Sequence, residues 1–262
     1  MRCRICFLFL AFSIVFACGC GGSAAGTVPV NPPATYLNLL GNWNFLFSPS
    51  NTLEASFVVG GYLTNSNGAV TGTLHVYGSS CYPVTQDIPV TGTLTTAREI
   101  SLTSGAVSGQ TLSMSGTAAD NAIAGSYAIT GGCAAENGGS IAGTVVPPFT
   151  DTYSGIFGSV SGVSIGFSVT TTQSGPYSDG EYNVTGSATF TGSPCFSSGT
   201  IASSTIFGDY IDVTIDANNN GVMQFSGLAD VYGASGTAIN GTYRVTGGTC
   251  AGDYGAGTIA SP

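Results

Sequence analysis

Lysine is missing from this chain and arginine nearly so: Lys and Arg total 4 against 13 Asp and Glu, with one His. Charged residues make up 6% of the 262, where an average soluble protein carries about 25%. A surface with so few cations has no means of neutralising a phosphate backbone, and its acidity repels anionic lipid headgroups, so nucleic-acid binding is excluded. Only His75 is available as an imidazole base, which leaves Ser-His-Asp or Cys-His chemistry a single candidate and no partner arrangement around it. Apolar runs long enough for a membrane helix are absent. Helical windows are absent too, because glycine, at 40 residues, interrupts every long run. Disorder is excluded as well: 12 Tyr and 14 Phe sit among Val, Ile and Thr in alternating runs.

What is present is a duplication. Residues 122–132, AIAGSYAITGG, return 116 residues later as 238–248, AINGTYRVTGG, and a cysteine follows each copy. Seven of the eleven positions are identical. Residues two apart share a face of a strand, so Ile123, Gly125, Tyr127 and Ile129 match Ile239, Gly241, Tyr243 and Val245 as a buried face. The other face changes from Ala124, Ser126 and Ala128 to Asn240, Thr242 and Arg244, as a solvated face does. Gly72, Gly78-Ser79 and Cys81 recur as Gly186, Gly192-Ser193 and Cys195 at an offset of 114.

The N-terminus carries Arg2 and Arg4 and then 13 mostly apolar residues, 5–17, the length of a signal-peptide core. Val15-Phe16-Ala17-Cys18 follows, with Cys20 two residues on, and here the chain resembles a bacterial lipoprotein. The resemblance implies a signal peptide over 1–17, diacylglycerol on Cys18 (or Cys20), and outer-membrane anchoring, since no Asp follows either cysteine; a secreted or periplasmic protein is the alternative. Residues 18–38, rich in Gly, Ser and Pro, read as a tether. Once the signal is removed, Arg98 and Arg244 face 13 acids, a net charge of −11.

Two β domains are expected, 39–147 and 150–262, separated at Pro147-Pro148. The first shows eight candidate strands, at 41–47, 55–64, 69–78, 88–96, 99–104, 110–118, 123–130 and 140–146; the second shows eight more, at 153–160, 163–171, 181–191, 199–203, 206–215, 221–231, 239–246 and 255–260. Asn67-Gly68 is a type I′ hairpin signal, and Ser108-Gly109 and Asp120-Asn121 are further tight connections. Glycines inside strands, at Gly72, Gly92, Gly116, Gly125 and Gly143, suit a sharply coiled sheet. The fold class predicted is therefore all-β: two tandem antiparallel eight-stranded up-and-down barrels, with β-sandwiches as the alternative. Gly41-Asn42-Trp43 resembles the opening of lipocalin and avidin-type barrels, where the Trp closes one end. The second copy has Gly155-Ile156-Phe157 instead, and Trp43 also reads as an ordinary core aromatic.

Cys81 and Cys133 match Cys195 and Cys250 in the duplication, which in an exported chain predicts one disulfide per domain. His75 alternates with Leu74 and Val76 and reads as a solvated strand residue. Asp212 with Asp216, and Asp179 with Glu181, are the acid pairs that a carboxylate glycosidase would use. Asp216, Asn218 and Asn220 match the first half of a calcium loop, but Gly227 stands where its bidentate Glu belongs, and an Asn-rich hairpin turn is the plainer reading. No catalytic residue, metal or cofactor is assigned. The function expected is a non-catalytic binding or structural envelope lipoprotein, joined to the membrane by its lipid and meeting glycans or an envelope protein. Its alternatives are a lipocalin-like carrier of a small apolar ligand and a carboxylate-based glycoside hydrolase.

Overall fold

A computed structural model describes residues 35–83, 86–133, 135–231 and 238–262. Among them there is no helix; sixteen strands close into two antiparallel barrels, each with consecutive strands as neighbours and the last paired to the first. The first barrel comprises β1 (Gly41–Pro49), β2 (Phe57–Ser66), β3 (Ala69–Tyr77), β4 (Asp87–Leu94), β5 (Glu99–Ser104), β6 (Thr111–Ala119), β7 (Ala122–Thr130) and β8 (Gly138–Val146). The second comprises β9 (Thr152–Ser159), β10 (Ser164–Ser174), β11 (Asn183–Thr191), β12 (Ser198–Phe207), β13 (Tyr210–Ala217), β14 (Gly221–Ala229), β15 (Ala238–Thr246) and β16 (Tyr254–Ala260). Barrels, not sandwiches, are the outcome.

Local chemistry explains the short connections. Asn67 and Gly68 take φ of 49° and 82°, and Ser108 and Gly109 take 51° and 79°, the left-handed pair that a type I′ turn requires. The predicted strand over 206–215 does not exist as one element. Gly208, at φ 55°, and Asp209 form a two-residue turn, and Phe207 at the end of β12 pairs with Tyr210 at the start of β13. Apolar residues flank the turn closely on both sides, Ile206 and Phe207 before it and Tyr210 and Ile211 after it, and the run reads as one strand when Gly208-Asp209 is passed over.

Closure needs glycine where strands crowd. Gly116 and Gly125 are paired across β6 and β7, and a Cβ on Gly125 would strike the Ser115 carbonyl and the Gly116 backbone. The repeated strands bury the predicted face: Ile123, Tyr127 and Ile129 on β7, and Ile239, Tyr243 and Val245 on β15.

Each barrel is filled. Trp43, Phe45, Phe47 and Phe57 are buried in the first, and Phe157, Phe167 and Phe225 cross edge to face or tilted in the second. Trp43 is a core aromatic whose indole N–H donates to the Leu39 carbonyl at 2.8 Å, holding the preceding segment over the barrel. Asn65 clamps that segment further, accepting from Leu39 N–H and donating to the Leu37 carbonyl. The second barrel repeats the device: Gln173 accepts from Phe149 N–H, and the Thr171 hydroxyl donates to the Phe149 carbonyl. One buried apolar residue, Leu39 or Phe149, is thus pinned by an amide side chain of the following barrel's second strand.

Candidate functional site

The cysteines pair as Cys81–Cys133 and Cys195–Cys250, with Cα atoms 5.5 and 5.9 Å apart, and such bonds belong to exported proteins. Beside each bridge lies a carboxylate near the repeated tyrosine, hydrogen-bonded to it in the second barrel only. Glu136, 3% exposed, accepts from the Ser79 and Ser80 hydroxyls and from Ser80 N–H, and burial together with its charge pushes the Tyr127 hydroxyl up to about 12. In the second barrel Asp253 accepts from the Tyr243 hydroxyl at 2.9 Å and from Ser159. Glu136 ties the β7–β8 connection to the β3–β4 connection, and Asp253 ties the β15–β16 connection to β9 and β15.

Chemistry gathers where the barrels meet. Asn42 and Asn44 lie on the outer face of β1, alternating with the inward Trp43 and Phe45, yet both are buried. The reason is the β12–β13 turn: the Asn42 amide donates to the Gly208 carbonyl and accepts from Gly208 N–H, both at 2.8 Å. Gly60 on β2 meets Gly208 backbone to backbone, and a Cβ there would lie 2.5 Å from the Gly208 Cα. Gly180, before β11, packs against Thr73 of β3, where a Cβ would lie 2.8 Å from the Thr73 Cβ.

His75 is completely buried in this junction, which corrects the solvated reading. It does point out of the first barrel, but the second barrel covers it. Its Nε2 lies 3.1 Å from the Asp179 carbonyl, an acceptor only, so that nitrogen carries hydrogen. Its Nδ1 faces the Asp87 carboxylate at 3.3 Å and the Glu181 carboxylate at 3.8 Å. Neither approach is a hydrogen bond, so the buried Nδ1 is without a hydrogen-bond partner among the described residues. Burial raises the Glu181 carboxyl, His75 opposes that, and Asp179 and Asp87 add to it. Asp209, in the turn, is pushed up to about 6 by burial, against the opposing effects of its own N–H and of Asn44.

An aromatic ladder leads outward from His75. Phe207 lies 4.8 Å from the imidazole, Tyr210 stacks on Phe207 at 4.9 Å, and Tyr77 stacks on Tyr210 at 5.5 Å and reaches solvent. Beyond it a groove of about 220 Å³ runs over the outer face of β14 and β15, lined by Tyr77, Tyr210, Ser226, Leu228, Asn240 and Thr242.

The remaining acidic and calcium-loop candidates are distributed as follows. Asp212 faces outward on β13 and accepts from Ser226, Gln224 and the Tyr210 hydroxyl. Asp216 is exposed further along the strand. Asp179 and Glu181 do come together, the Asp179 side chain accepting from Glu181 N–H, and both belong to the junction through His75. In 216–220, Asn218 Oδ1 accepts from Ser197 and Ser198 N–H, Asn219 donates to the Cys195 carbonyl, and Asn219 and Asn220 take φ of 64° and 59°, so the amides serve a hairpin turn. Among the described residues no group of three or more His, Cys, Asp or Glu is arranged to hold a metal ion. A carrier needs a lumen, and the cavity inside the second barrel is about 20 Å³, lined by residues such as Phe167, Val213 and Phe225, room for about one water. Cys18 and Cys20 lie outside the described residues.

No family model matches the chain, and no curated protein matches it. Among solved structures it is similar to a protein of unknown function of the DUF3598 family from Nostoc punctiforme, at 10% identity over 85% of this chain and 96% of that one, with a TM-score of 0.27. It is also similar to kievitone hydratase from Nectria haematococca, at 11% identity over 86% and 90% of the two chains, with a TM-score of 0.21. At these scores neither likeness carries an argument about function.

Proposed function

We propose that the chain is an exported lipoprotein, anchored through Cys18, whose docked barrels form a non-catalytic binding or structural module of the cell envelope. The observation that carries this reading is the filling of the molecule. The second barrel has about 20 Å³ of free interior, and the junction is closed backbone to backbone at Gly60 and Gly208, so any partner is met on the outside. The near absence of cations and the two disulfides suit an exported, acidic surface. Val15, Ala17 and Cys18 supply the lipidation signal, and the Gly- and Pro-rich stretch after them provides reach from the membrane.

The test is metabolic labelling of the full chain with a clickable palmitate analogue in a bacterial host. The wild type takes label and partitions with membranes. Cys18→Ser loses the label and becomes soluble, while Cys20→Ser keeps both label and membrane association. An unlabelled, soluble wild type would overturn the anchored reading.

A further inference from the structure

We infer that the groove beside Tyr77 and Tyr210 binds a single ring of a neutral saccharide; this rests on the reading of the chain as an outward-facing envelope module. Four features of the groove converge on that ligand class. Its wall is aromatic: Tyr77 is 41% exposed and stacks on Tyr210 with planes 30° apart, a rigid apolar face for the C–H side of a pyranose.

Its floor is made of short uncharged polar groups held in fixed roles. Ser226 donates its hydroxyl hydrogen to Asp212 Oδ2 and also meets the Tyr210 hydroxyl, so toward a ligand it offers oxygen lone pairs and no donor. The Asn240 carbonyl oxygen accepts from the Thr258 hydroxyl, which leaves the amide N–H groups to donate. Thr242, opposite Ser226 in the β14–β15 register, adds a hydroxyl that does either. A sugar hydroxyl both donates and accepts, so adjacent acceptor and donor positions are its complement.

Size and charge narrow the class. About 220 Å³ is below the ~300–1,000 Å³ of drug-sized sites and suits one ring with its chain leaving along the open groove. No cation lines the groove, and the chain as a whole is strongly acidic, so sulfated, phosphorylated and uronic-acid polymers are disfavoured. Docking completes the groove's aromatic wall, because Tyr77 comes from the first barrel and Tyr210, Ser226, Asn240 and Thr242 from the second.

The experiment uses the mature lipoprotein in a zwitterionic, sugar-free detergent. Saturation-transfer NMR and titration calorimetry are run against short glucose, mannose and N-acetylglucosamine oligomers, with alginate as the anionic control. We expect one neutral class to bind and alginate not to. Tyr77→Ala should weaken that binding at least tenfold without shifting the melting curve, while Tyr77→Phe retains it. Ser226→Phe, which fills the groove, should abolish it. Binding unchanged in both Tyr77→Ala and Ser226→Phe would overturn the site, as would no binding to any neutral oligomer. Neither result touches the lipid-labelling outcome, so failure here and failure of the anchored reading are told apart.

Discussion

Asp209 occupies a two-residue turn with its side chain 6% exposed and its Oδ1 without a hydrogen-bond partner among the described residues. Burial is the main cause of its rise from 3.8 to about 6, so the folded protein holds this proton more tightly than the unfolded chain. The stability it contributes is fully present below pH 3.8 and is lost as the pH rises through about 6, a difference of about 3 kcal/mol. Asp209→Asn should therefore be more stable than wild type at pH 7.5 and nearly equal to it at pH 3.5, measured by denaturant unfolding. Because the Glu181 carboxyl, raised by burial, lies in the same junction, the difference between the two proteins is the quantity to compare. His75 supports a second expectation. His75→Leu leaves the Asp179 carbonyl without its donor and two carboxylates facing an apolar group, and should cost about 1–3 kcal/mol. A cost near zero would mean that the imidazole only fills space. His75 was misread from sequence for an identifiable reason: alternation places it outside the first barrel, which is correct, and says nothing about a second barrel arriving there.

Among the elements, glycine pairing and the disulfides are the parts most exposed to mutation. Gly125→Val would drive its side chain into the Ser115 carbonyl and the Gly116 backbone, and about 1–3 kcal/mol of destabilisation is expected from overpacking. Cys81→Ala with Cys133→Ala opens a loop of 52 residues and should cost about 2–5 kcal/mol, both read by thermal unfolding under oxidising conditions. These elements were legible because each signal is local or repeated. The period-two pattern gave the buried face of β7 and β15, Asn67-Gly68 specified its turn, and the duplication paired the cysteines. The β12–β13 hairpin was read through as one strand although Gly208-Asp209 is a two-residue turn signal, and docking against Asn42 and Gly60 holds that turn. The clamps by Asn65 and Gln173 were also missed, although an amide at the end of the second strand in both copies was the available signal.

For the whole molecule, the docking of the barrels decides which outer faces are available. Gly60→Val would wedge against the Gly208 backbone and break the paired hydrogen bonds of Asn42. It should enlarge the radius of gyration by small-angle scattering while leaving both barrels folded by circular dichroism. An unchanged radius would mean that the junction yields locally. The same variant should lose saccharide binding, since it separates Tyr77 from Tyr210. The sequence by itself determined the two barrels, their strand faces, their bridges and the acidic, exported character, because alternation, turn chemistry, duplication and composition act within a strand or within one copy. Only the tertiary structure decided that His75, Asn42 and Asn44 are buried, that Asp179 and Glu181 meet His75, and that Tyr77 and Tyr210 form one wall. Those contacts join residues 104 to 166 positions apart in the chain, and they arise from shape: two glycine backbones let a turn of one barrel close upon the outside of the other.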